Sequence, residues 1–524
     1  MQWLHTLDIE CYTPSDCATS DISAVHAARA TRTFTPQLAR RPENAEVGRD
    51  DSDRPRLQSG GLFLEPRRPG ASGKLTGMPD RIEHVVVLMF ENNSFDRMLG
   101  CMKAVYPTLE GVDPNRTLVN PDFPDSNHVF AQLKNAAYSI PVDPGHELDD
   151  VLRQVDNGCT GFVADFAQHA PNAPEDDRYQ VMAYFSLDSL PVLHTLARNY
   201  LVCDHWFSSV PGPTWPNRFF VHSGTSLGHV DMPNGFFHPG IHLYDQPTVY
   251  QRLSERGNTW KIYYGDFPQS LLLVEQLKHP LNYHRLDDFF KDVGGAAQDF
   301  PQYVFIEPYY FGAKQNDQHP PTDVRHGEAL LAQIYNALRG NQDLWRCTLL
   351  VVLYDEHGGF YDHVVPPAAI PPDGHTESFS FNRLGVRVPA LLISPWLDPG
   401  VLDTQFDHTS LLRYATGKWG LGPLGDRVAQ ANSFGDVLLG RSTPRDNCPA
   451  GLPVPDAQSN PMNVALNAHQ AALAGFSHHL EVNVTKAGDA TILQNSRSMA
   501  GNFAEQSETV AQRARQFLAQ ASQK

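Results

Sequence analysis

The chain has 524 residues, of which 41% are hydrophobic and 19% are charged, and its formal net charge at pH 7 is −18. This charge argues against a protein that holds nucleic acid, and against docking on anionic membranes by electrostatic attraction alone. A chain of this length and apolar content can bury a large core, and α/β enzymes of this size often form one catalytic domain.

The N-terminal segment differs in composition from the rest of the chain. Residues 1–77 are rich in Arg, Pro, Ser and Asp and show no sustained apolar period, which predicts a disordered extension. No apolar core of a secretory signal is visible, and no run approaches the ~20 apolar residues of a membrane span. Met78 is a candidate for the true start of translation. The seven scattered cysteines favour reduced thiols in a cytosolic setting, with one or two disulfides after export as the alternative.

Two strand-like runs each end in an acidic loop. Residues 82–90 and 348–354 are apolar and β-branched, which is typical of buried parallel strands. Because open α/β sheets bind ligands at the carboxyl ends of their strands, both loops are expected to open onto one crevice. Carboxylate and amide oxygens suit a hard or borderline divalent cation, and helix caps or solvated loop charges are the alternative. The candidate metal ligands in these loops are Glu91, Asn92, Asp355 and Glu356.

The segment 212–218, Gly-Pro-Thr-Trp-Pro-Asn-Arg, marks a loop that turns into a helix. Gly212 permits close backbone approach to a ligand, and Thr214 is a competent N-cap residue. The Thr214 hydroxyl would then lie where unpaired N–H groups and the helix dipole favour phosphate oxygens. Arg218 follows one turn later on the same face. An ordinary capped helix is the alternative, which the two acidic loops make less favourable.

Helical segments alternate with the strands. Residues 146–157 and 323–339 have helical spacing, and 389–395 reads as another buried strand bounded by prolines. This order predicts an α/β fold, a three-layer α/β/α sandwich with a mostly parallel central sheet. We predict a catalytic domain over residues 78–440 and a mainly helical C-terminal appendage over residues 441–524, which packs on the core or touches lipid.

Six sequence blocks, in order, resemble the phosphoesterase family that contains bacterial phosphatidylcholine-type phospholipases C, plant non-specific phospholipases C and AcpA-type acid phosphatases. The resemblance covers about residues 78–440 and implies an alkaline-phosphatase-like fold. Asn93 departs from the family, which usually places Arg after Glu-Asn, so that guanidinium contact is missing or supplied elsewhere. The six blocks are residues 91–96, 143–146, 213–218, 316–320, 355–364 and 383–389.

The resemblance also implies a role for each candidate residue. A divalent metal ion of unknown identity would be held by Glu91, Asn92, Asp355 and Glu356, and Thr214 would be the nucleophile that approaches it. The predicted proton or hydrogen-bond donors around the phosphate are His319 and His146, and Asp317 and His363 join the catalytic set. Asn217 and Arg218 are the candidates for substrate binding.

These residues imply phosphoryl chemistry. A threonine hydroxyl is a poor nucleophile at neutral pH, and a bound dication lowers its pKa. Attack on phosphorus would give a phosphothreonine, and a histidine would protonate the leaving alkoxide. In this family the phospholipase branch carries Thr at this position and the phosphatase branch carries Ser. We therefore expect a phospholipase C that converts phosphatidylcholine-type phospholipids into diacylglycerol and a phosphorylated head group.

Other functions stay open. An acid phosphatase acting on soluble phosphomonoesters is the nearest alternative, followed by a catalytically silent lipid-binding protein. A sulfatase is distant, because the similar sulfatase motif begins with a Cys or Ser that is oxidised to an aldehyde. Peripheral membrane contact would involve the aromatic loops 234–238 and 307–311, unless these aromatics pack in the core. Family members are frequently exported, so localisation is left open.

Overall fold

The computed structural model describes residues 80–123, 126–232, 244–376, 378–457, 460, 466–485 and 503–523. The predicted disorder of residues 1–77, the start at Met78 and the aromatic loop 234–238 lie outside the described residues. The strands of the described residues are β1 (His84–Phe90), β2 (Val119–Pro121), β3 (Val129–Ala131), β4 (Leu133–Lys134), β5 (Ala183–Tyr184), β6 (Leu201–Cys203), β7 (Trp206–Phe207), β8 (Trp260–Tyr264), β9 (Tyr283–Arg285), β10 (Tyr303–Glu307), β11 (Thr348–Tyr354), β12 (Ala390–Ile393), β13 (Gly400–Leu402) and β14 (Phe406–Asp407). Their α-helices are α1 (Phe95–Leu99), α2 (Leu148–Gln154), α3 (Asp156–Cys159), α4 (Phe162–His169), α5 (Glu175–Met182), α6 (Pro191–Asn199), α7 (Thr214–Ser223), α8 (Val249–Glu255), α9 (Leu286–Val293), α10 (Arg325–Gly340), α11 (Gln342–Trp345), α12 (His408–Trp419), α13 (Asp426–Gln430), α14 (Ala468–Thr485) and α15 (Phe503–Ala521).

An eight-stranded sheet in the order β13-β6-β12-β11-β1-β10-β8-β9 forms the centre of the fold. β1 lies between β10 and β11 and runs parallel to both, so that Val87 is opposite Phe305 on one side and Val351 on the other. β12 is antiparallel to both of its neighbours, and the remaining pairs are parallel. Helices flank the sheet, including the packed pairs α6 with α10 and α7 with α12. The predicted α/β class with a mostly parallel sheet is confirmed.

The two central strands form where their sequences predict them. β11 coincides with the predicted run, and β1 begins two residues later than predicted. Every residue of both strands is buried, which explains the continuous apolar runs. The predicted strand at residues 389–395 is β12, whose antiparallel direction cannot be read from an apolar run.

The helix that carries Thr214 begins one residue earlier than predicted. Pro213, with extended backbone, occupies the N-cap position, and Thr214 is the first helical residue of α7. The predicted helix at 146–157 is divided: α2 ends at Gln154, and Asn157 and Gly158 adopt positive φ angles of 48° and 79° inside α3. The predicted helix at 323–339 is α10, with ends shifted by one or two residues.

The C-terminal helices α14 and α15 pack against each other. Leu473 and Phe476 of α14, with Val510 and Leu518 of α15, are buried in the same hydrophobic cluster as the central strands. The C-terminal segment was expected either to pack on the core or to contact lipid, and these side chains pack on the core. The predicted domain boundaries at 77 and 440 stay predictions.

None of the helices in the described part of the chain has the length and apolarity needed to cross a bilayer. Cys101, Cys159, Cys203, Cys347 and Cys448 are unpaired in this structure.

Candidate active site

The loops that follow the neighbouring strands β1 and β11 meet at the carboxyl edge of the sheet. Glu91, Asn92, Asp355 and Glu356 are each 0% exposed. The Asn92 N–H donates to Asp355 Oδ1 over 3.1 Å, and the Asn93 N–H donates to the Glu356 carbonyl over 3.1 Å. Asn92 adopts a φ of 56°, a left-handed conformation that Asn tolerates better than most residues. The four predicted metal ligands therefore lie on neighbouring loops, but Glu91, Asp355 and Glu356 do not form a group whose ligand atoms all lie within 4.8 Å of one another.

Thr214 lies in the first turn of α7 and is 1% exposed. Its Oγ1 donates a hydrogen bond to Asn92 Oδ1 over 3.4 Å. The unpaired N–H groups and the positive end of the dipole at this helix start favour an anion beside the hydroxyl. A Cβ at Gly212 would lie 2.9 Å from the Val230 carbonyl oxygen, so the loop before the helix requires glycine.

Asn217 holds the loop that leads into α7. Its Nδ2 donates to the carbonyls of Gly212 and Pro213 over 2.9 and 3.1 Å, and its Oδ1 accepts from the Val210 N–H over 3.1 Å. These hydrogen bonds fix the conformation of the loop before Thr214. Substrate binding by Asn217 stays a prediction, and its contacts give it a positioning role.

Arg218 lies between two of the candidate metal ligands. Its Nη2 is 3.0 Å from Glu91 Oε1, and its Nε donates to Asp355 Oδ2 over 3.2 Å. Its Nη1 donates to the Tyr310 hydroxyl over 2.9 Å. Arg218 is 0% exposed, so in this structure the guanidinium holds the carboxylates in place, and substrate binding by Arg218 stays a prediction. Tyr310 and Phe311 are buried, as the core-packing alternative for their loop expects.

Arg218 alone cannot balance the negative charge that these buried carboxyl groups would carry if all of them were ionised. Burial raises the pKa of Glu91 well above its usual range and also raises the pKa of Asp355, and Arg218 offsets only part of each effect. Burial raises the pKa of Glu356 to about 7, against the opposing influence of His146. Crowded acids of this kind favour an additional cation.

The donor atoms of these residues fit a divalent metal ion. Both carboxylate oxygens of Glu91 and Oε1 of Glu356 are buried and have no hydrogen-bond partner. The short contact of Arg218 with Glu91 is an ion pair without hydrogen-bond geometry. Because a buried oxygen without a partner costs free energy, a cation at this position would relieve that cost. Carboxylate and amide oxygens are the ligands that hard and borderline divalent ions prefer.

Two histidines and an aspartate form a second group next to the carboxylates. Ligand atoms of Asp143, His146 and His319 all lie within 4.8 Å of one another. The Nδ1 atoms of His146 and His319 are 2.8 and 2.7 Å from main-chain carbonyls of neighbouring prolines. With Nδ1 used in this way, Nε2 of His146 lies 3.4 Å from Asn92 Nδ2, and Nε2 of His319 lies 3.7 Å from Asp143 Oδ2. Asp143, at 29% side-chain exposure, marks the side from which solvent reaches the group.

The carboxylates around His146 raise its pKa against the effect of burial. Burial lowers its pKa, but Glu356, Asp143 and Glu147 outweigh burial and raise the pKa to about 9. The raised pKa favours the protonated ring, whose Nε2 would have to turn from the Asn92 Nδ2 donor to reach a phosphate oxygen.

Asp317 anchors the loop that carries His319. Its carboxylate accepts from Gln315 Nε2 over 3.1 Å and from the His319 N–H over 3.2 Å. Its main-chain oxygen accepts from the Glu91 N–H over 2.9 Å. Burial raises the pKa of Asp317 well above its usual range. Asp317 thus links the loops of β1 and β10.

His363 lies in a different group of charges. Its Nδ1 is 2.8 Å from Asp96 Oδ2, and its Nε2 is 2.9 Å from Glu110 Oε1. Arg387 forms ion pairs with Asp96 and Asp362 in the same group, at 3.1 and 2.9 Å. Burial lowers the pKa of His363, but Asp96 outweighs burial and the pKa is raised to about 9. The structure does not bring His363 into contact with Thr214, and its catalytic part stays a prediction.

Helix α14 brings to the site a histidine that no sequence motif predicts. Trp215 Nε1 donates to His469 Nδ1 over 3.0 Å, and His469 Nε2 lies 3.4 Å from Glu91 Oε1. His469 is 2% exposed, and burial lowers its pKa well below the usual range, so the ring is neutral. His469 lies in no sequence motif. The residues that it contacts, Trp215 and Glu91, are distant from it in the sequence.

Two neighbours of His469 also border the site. Asn467 Nδ2 lies 3.1 Å from His319 Nδ1, and Gln470 Nε2 donates to the Tyr310 carbonyl over 2.7 Å. Asn467 and Gln470 bond to each other in both directions at the start of α14, which is a capping-box arrangement. In the sequence, the Asn-x-x-Gln spacing indicates the start of a helix. It does not indicate which other residues this helix contacts.

Comparison with known proteins identifies relatives across most of the chain. Residues 82–422 match the Phosphoesterase family. Non-specific phospholipase C6 of Arabidopsis thaliana is 37% identical over 75% of this chain and 78% of its own length. Non-specific phospholipase C3 of the same plant is 37% identical over 71% and 76%. Non-hemolytic phospholipase C of Pseudomonas aeruginosa is 29% identical over 65% and 54%. Solved structures with a distant likeness include a protein of the alkaline phosphatase superfamily from Vibrio parahaemolyticus, at 12% identity and a TM-score of 0.29, over 64% of this chain and 78% of that one.

Proposed function

The chain belongs to the phosphoesterase family and is a hydrolase of phosphoric ester bonds, and we propose that it is a metal-dependent phospholipase C. Its substrates would be phosphatidylcholine-type phospholipids, and its products diacylglycerol and a phosphorylated head group. The names of the relatives support the substrate class. The observation that carries the mechanism is the hydrogen bond from Thr214 Oγ1 to Asn92 Oδ1, beside buried carboxylates that lack partners.

Thr214 is the proposed nucleophile. Its hydroxyl oxygen attacks phosphorus and releases its proton to solvent, the bond from phosphorus to the glycerol oxygen breaks, and that oxygen takes up a proton, so that a phosphothreonine and diacylglycerol result. Water then attacks the same phosphorus, which releases the phosphorylated head group and restores the hydroxyl. The start of α7 supports both steps because its N–H groups stabilise the added negative charge on the phosphoryl oxygens.

A divalent cation would be held by Glu91, Asn92, Asp355 and Glu356, with Thr214 at its edge. When bound, it supplies charge neutralisation for the phosphate and lowers the pKa of the attacking hydroxyl. The chain prepares this position by fixing the carboxylates: Arg218 contacts Glu91 and Asp355, and the Gly358 N–H donates to Glu356 Oε2 over 2.7 Å.

His319 and His146 are the proposed proton donors. Nδ1 of each ring contacts a main-chain carbonyl, and His319 approaches Asp143 through Nε2 at 3.7 Å whereas His146 approaches it through Nδ1 at 3.9 Å. The raised pKa of His146 supports a role on the phosphate oxygens, and His319 would protonate the departing glycerol oxygen. Asp317 positions the His319 loop through the bond to its main-chain N–H.

An acid phosphatase acting on soluble phosphomonoesters is the second candidate, and one observation favours it. Thr214 and His319 are each only 1% exposed, an enclosure that suits a small substrate. A phospholipid would instead be presented at a lipid surface, so the first proposal includes peripheral membrane contact.

Purified full-length protein, assayed on phosphatidylcholine in mixed micelles and on a soluble aryl phosphate, tests the proposal. We expect the larger kcat/KM on the phospholipid, and we expect Thr214→Val to lose at least ~10³-fold in kcat on it. A larger kcat/KM on the aryl phosphate would favour the phosphatase. Full activity of Thr214→Val on both substrates would exclude Thr214 as the nucleophile.

A further inference from the structure

A single imidazole connects α14 to both halves of the site. His469 Nδ1 accepts a hydrogen bond from Trp215 Nε1 over 3.0 Å, and its Nε2 lies 3.4 Å from Glu91 Oε1. Trp215 directly follows Thr214 in α7, and Glu91 directly follows β1. The ring therefore contacts the helix of the nucleophile and the loop of a candidate metal ligand.

The tryptophan bond decides which ring nitrogen carries the proton. An indole N–H can only donate, so Nδ1 must offer its lone pair and a neutral ring carries hydrogen on Nε2. That N–H faces Glu91, whose two carboxylate oxygens are buried without a hydrogen-bond partner. A small shift of the ring or carboxylate would complete a bond from Nε2 to Oε1 and leave Oε2 for a cation. Such a bond would orient the carboxylate without using its second oxygen.

The helix that carries His469 is held at this position by its own first turn. Gln470 Nε2 donates to the Tyr310 carbonyl over 2.7 Å, and Tyr310 accepts from Arg218 through its hydroxyl. The His469 ring also stands edge-on to the Tyr310 ring at a centroid distance of 4.8 Å. These contacts restrict where the imidazole can lie, which is what a residue that orients a ligand requires.

We propose that His469 is a positioning residue that orients Glu91 for cation binding, and that the start of α14 is therefore part of the catalytic unit. The inference rests on the proposed function, since it needs a cation at Glu91. Residues that orient metal ligands typically change metal affinity or activity ~10–100-fold when removed. His469 lies beyond residues 82–422, which match the family.

The test measures cation affinity of the full-length, metal-stripped protein by titration calorimetry with Mn²⁺, Zn²⁺ and Ca²⁺ in turn. We expect His469→Leu to bind the ion preferred by wild type ~10–100-fold more weakly. His469→Gln should stay within ~3-fold of wild type, because a Gln amide can donate from nearly the same place as Nε2. His375→Gln, at a half-exposed histidine, is the matched control and should bind as wild type. Thermal unfolding of each metal-free variant separates altered affinity from misfolding.

Glu91→Gln separates the inference from its premise. If Glu91→Gln weakens binding and His469→Leu does not, the inference is overturned and the metal proposal stands. If Glu91→Gln binds as tightly as wild type, the metal proposal itself fails. Should His469→Leu not fold, Trp215→Phe replaces it: loss of the indole donor frees the tautomer, and we expect at least ~3-fold weaker binding. Unchanged affinity in Trp215→Phe would then overturn the inference.

Discussion

Thr214 Oγ1 donates a hydrogen bond to Asn92 Oδ1 over 3.4 Å, which joins the first turn of α7 to the loop after β1. The two residues are separated by 122 positions in the sequence, and both side chains are buried. Because Asn92 also donates through its main chain to Asp355, the pairing of β1 with β11 determines where the hydroxyl meets the carboxylates. The contact places the proposed nucleophile next to an amide whose main chain bonds to an acid.

A covalent phosphoenzyme should be detectable on Thr214. Acid quenching during turnover, followed by peptide mass spectrometry, should show phosphate on the peptide that contains Thr214 in the wild type and none in Thr214→Val. Thr214→Ser keeps a hydroxyl and should still form the intermediate. Phosphate on another residue in the wild type would contradict the mechanism.

Arg218 should be important for stability in the metal-free protein. Arg218→Met leaves Glu91 and Asp355 buried without their guanidinium, and we expect a loss of ~3–5 kcal/mol in the free energy of unfolding. Arg325→Met breaks a more exposed ion pair with Asp323 and should cost at most ~1 kcal/mol. Urea unfolding of stripped protein measures both. Equal small losses would show that Arg218 does not stabilise the carboxylates.

The turn after Glu356 should tolerate only glycine at position 358. Gly358 has a φ of 63°, and a Cβ there would lie 2.5 Å from the Asn92 carbonyl oxygen. Gly358→Ala should therefore cost at least ~1 kcal/mol and weaken cation binding by displacing Asn92. Gly374→Ala meets no neighbouring atom within 4 Å and is the matched control. Chemical unfolding and cation titration of both variants test this, and equal behaviour would contradict it.

Local sequence patterns predict the parts of this fold that depend on adjacent residues. The apolar run at 348–354 coincides with β11, and the acidic residues after β1 and β11 meet because parallel neighbours share a carboxyl edge. The direction of a strand cannot be predicted in this way, because β12 is as apolar as a parallel strand but runs antiparallel to β11. Direction depends on the connections between strands, which an apolar run does not record.

Side chains that act from a distant part of the chain are the ones that sequence reasoning missed. His469 lies in α14, and its role is visible only once Trp215 and Glu91 are seen on either side of its ring. Arg218 was predicted to lie on the face of Thr214 from its spacing, but its partners Glu91 and Asp355 directly follow β1 and β11, so the spacing did not reveal them. In both cases the sequence does not show which buried charged side chains lie next to the residue.

His363 should stabilise the protein in a pH-dependent way. Its pKa is about 9 in the folded state, against ~6.5 for an ordinary histidine, so its stabilising effect is complete below about pH 6.5 and is lost as the pH rises through 9. The groups that face it are Asp96, Glu110, Asp362 and Arg387.

We therefore expect His363→Gln to lower the free energy of unfolding by about 3 kcal/mol at pH 6, with a difference that shrinks toward zero at pH 10. Urea unfolding at pH 6, 8 and 10 measures this difference, and His375→Gln is the control for replacing a half-exposed histidine. A cost for His363→Gln that is the same at all three pH values would mean that packing, and not the charge shared with Asp96, is what the histidine contributes. A kcat for His363→Gln close to that of wild type at pH 8 would assign His363 to this structural ion pair, because a proton donor cannot be removed without loss of rate.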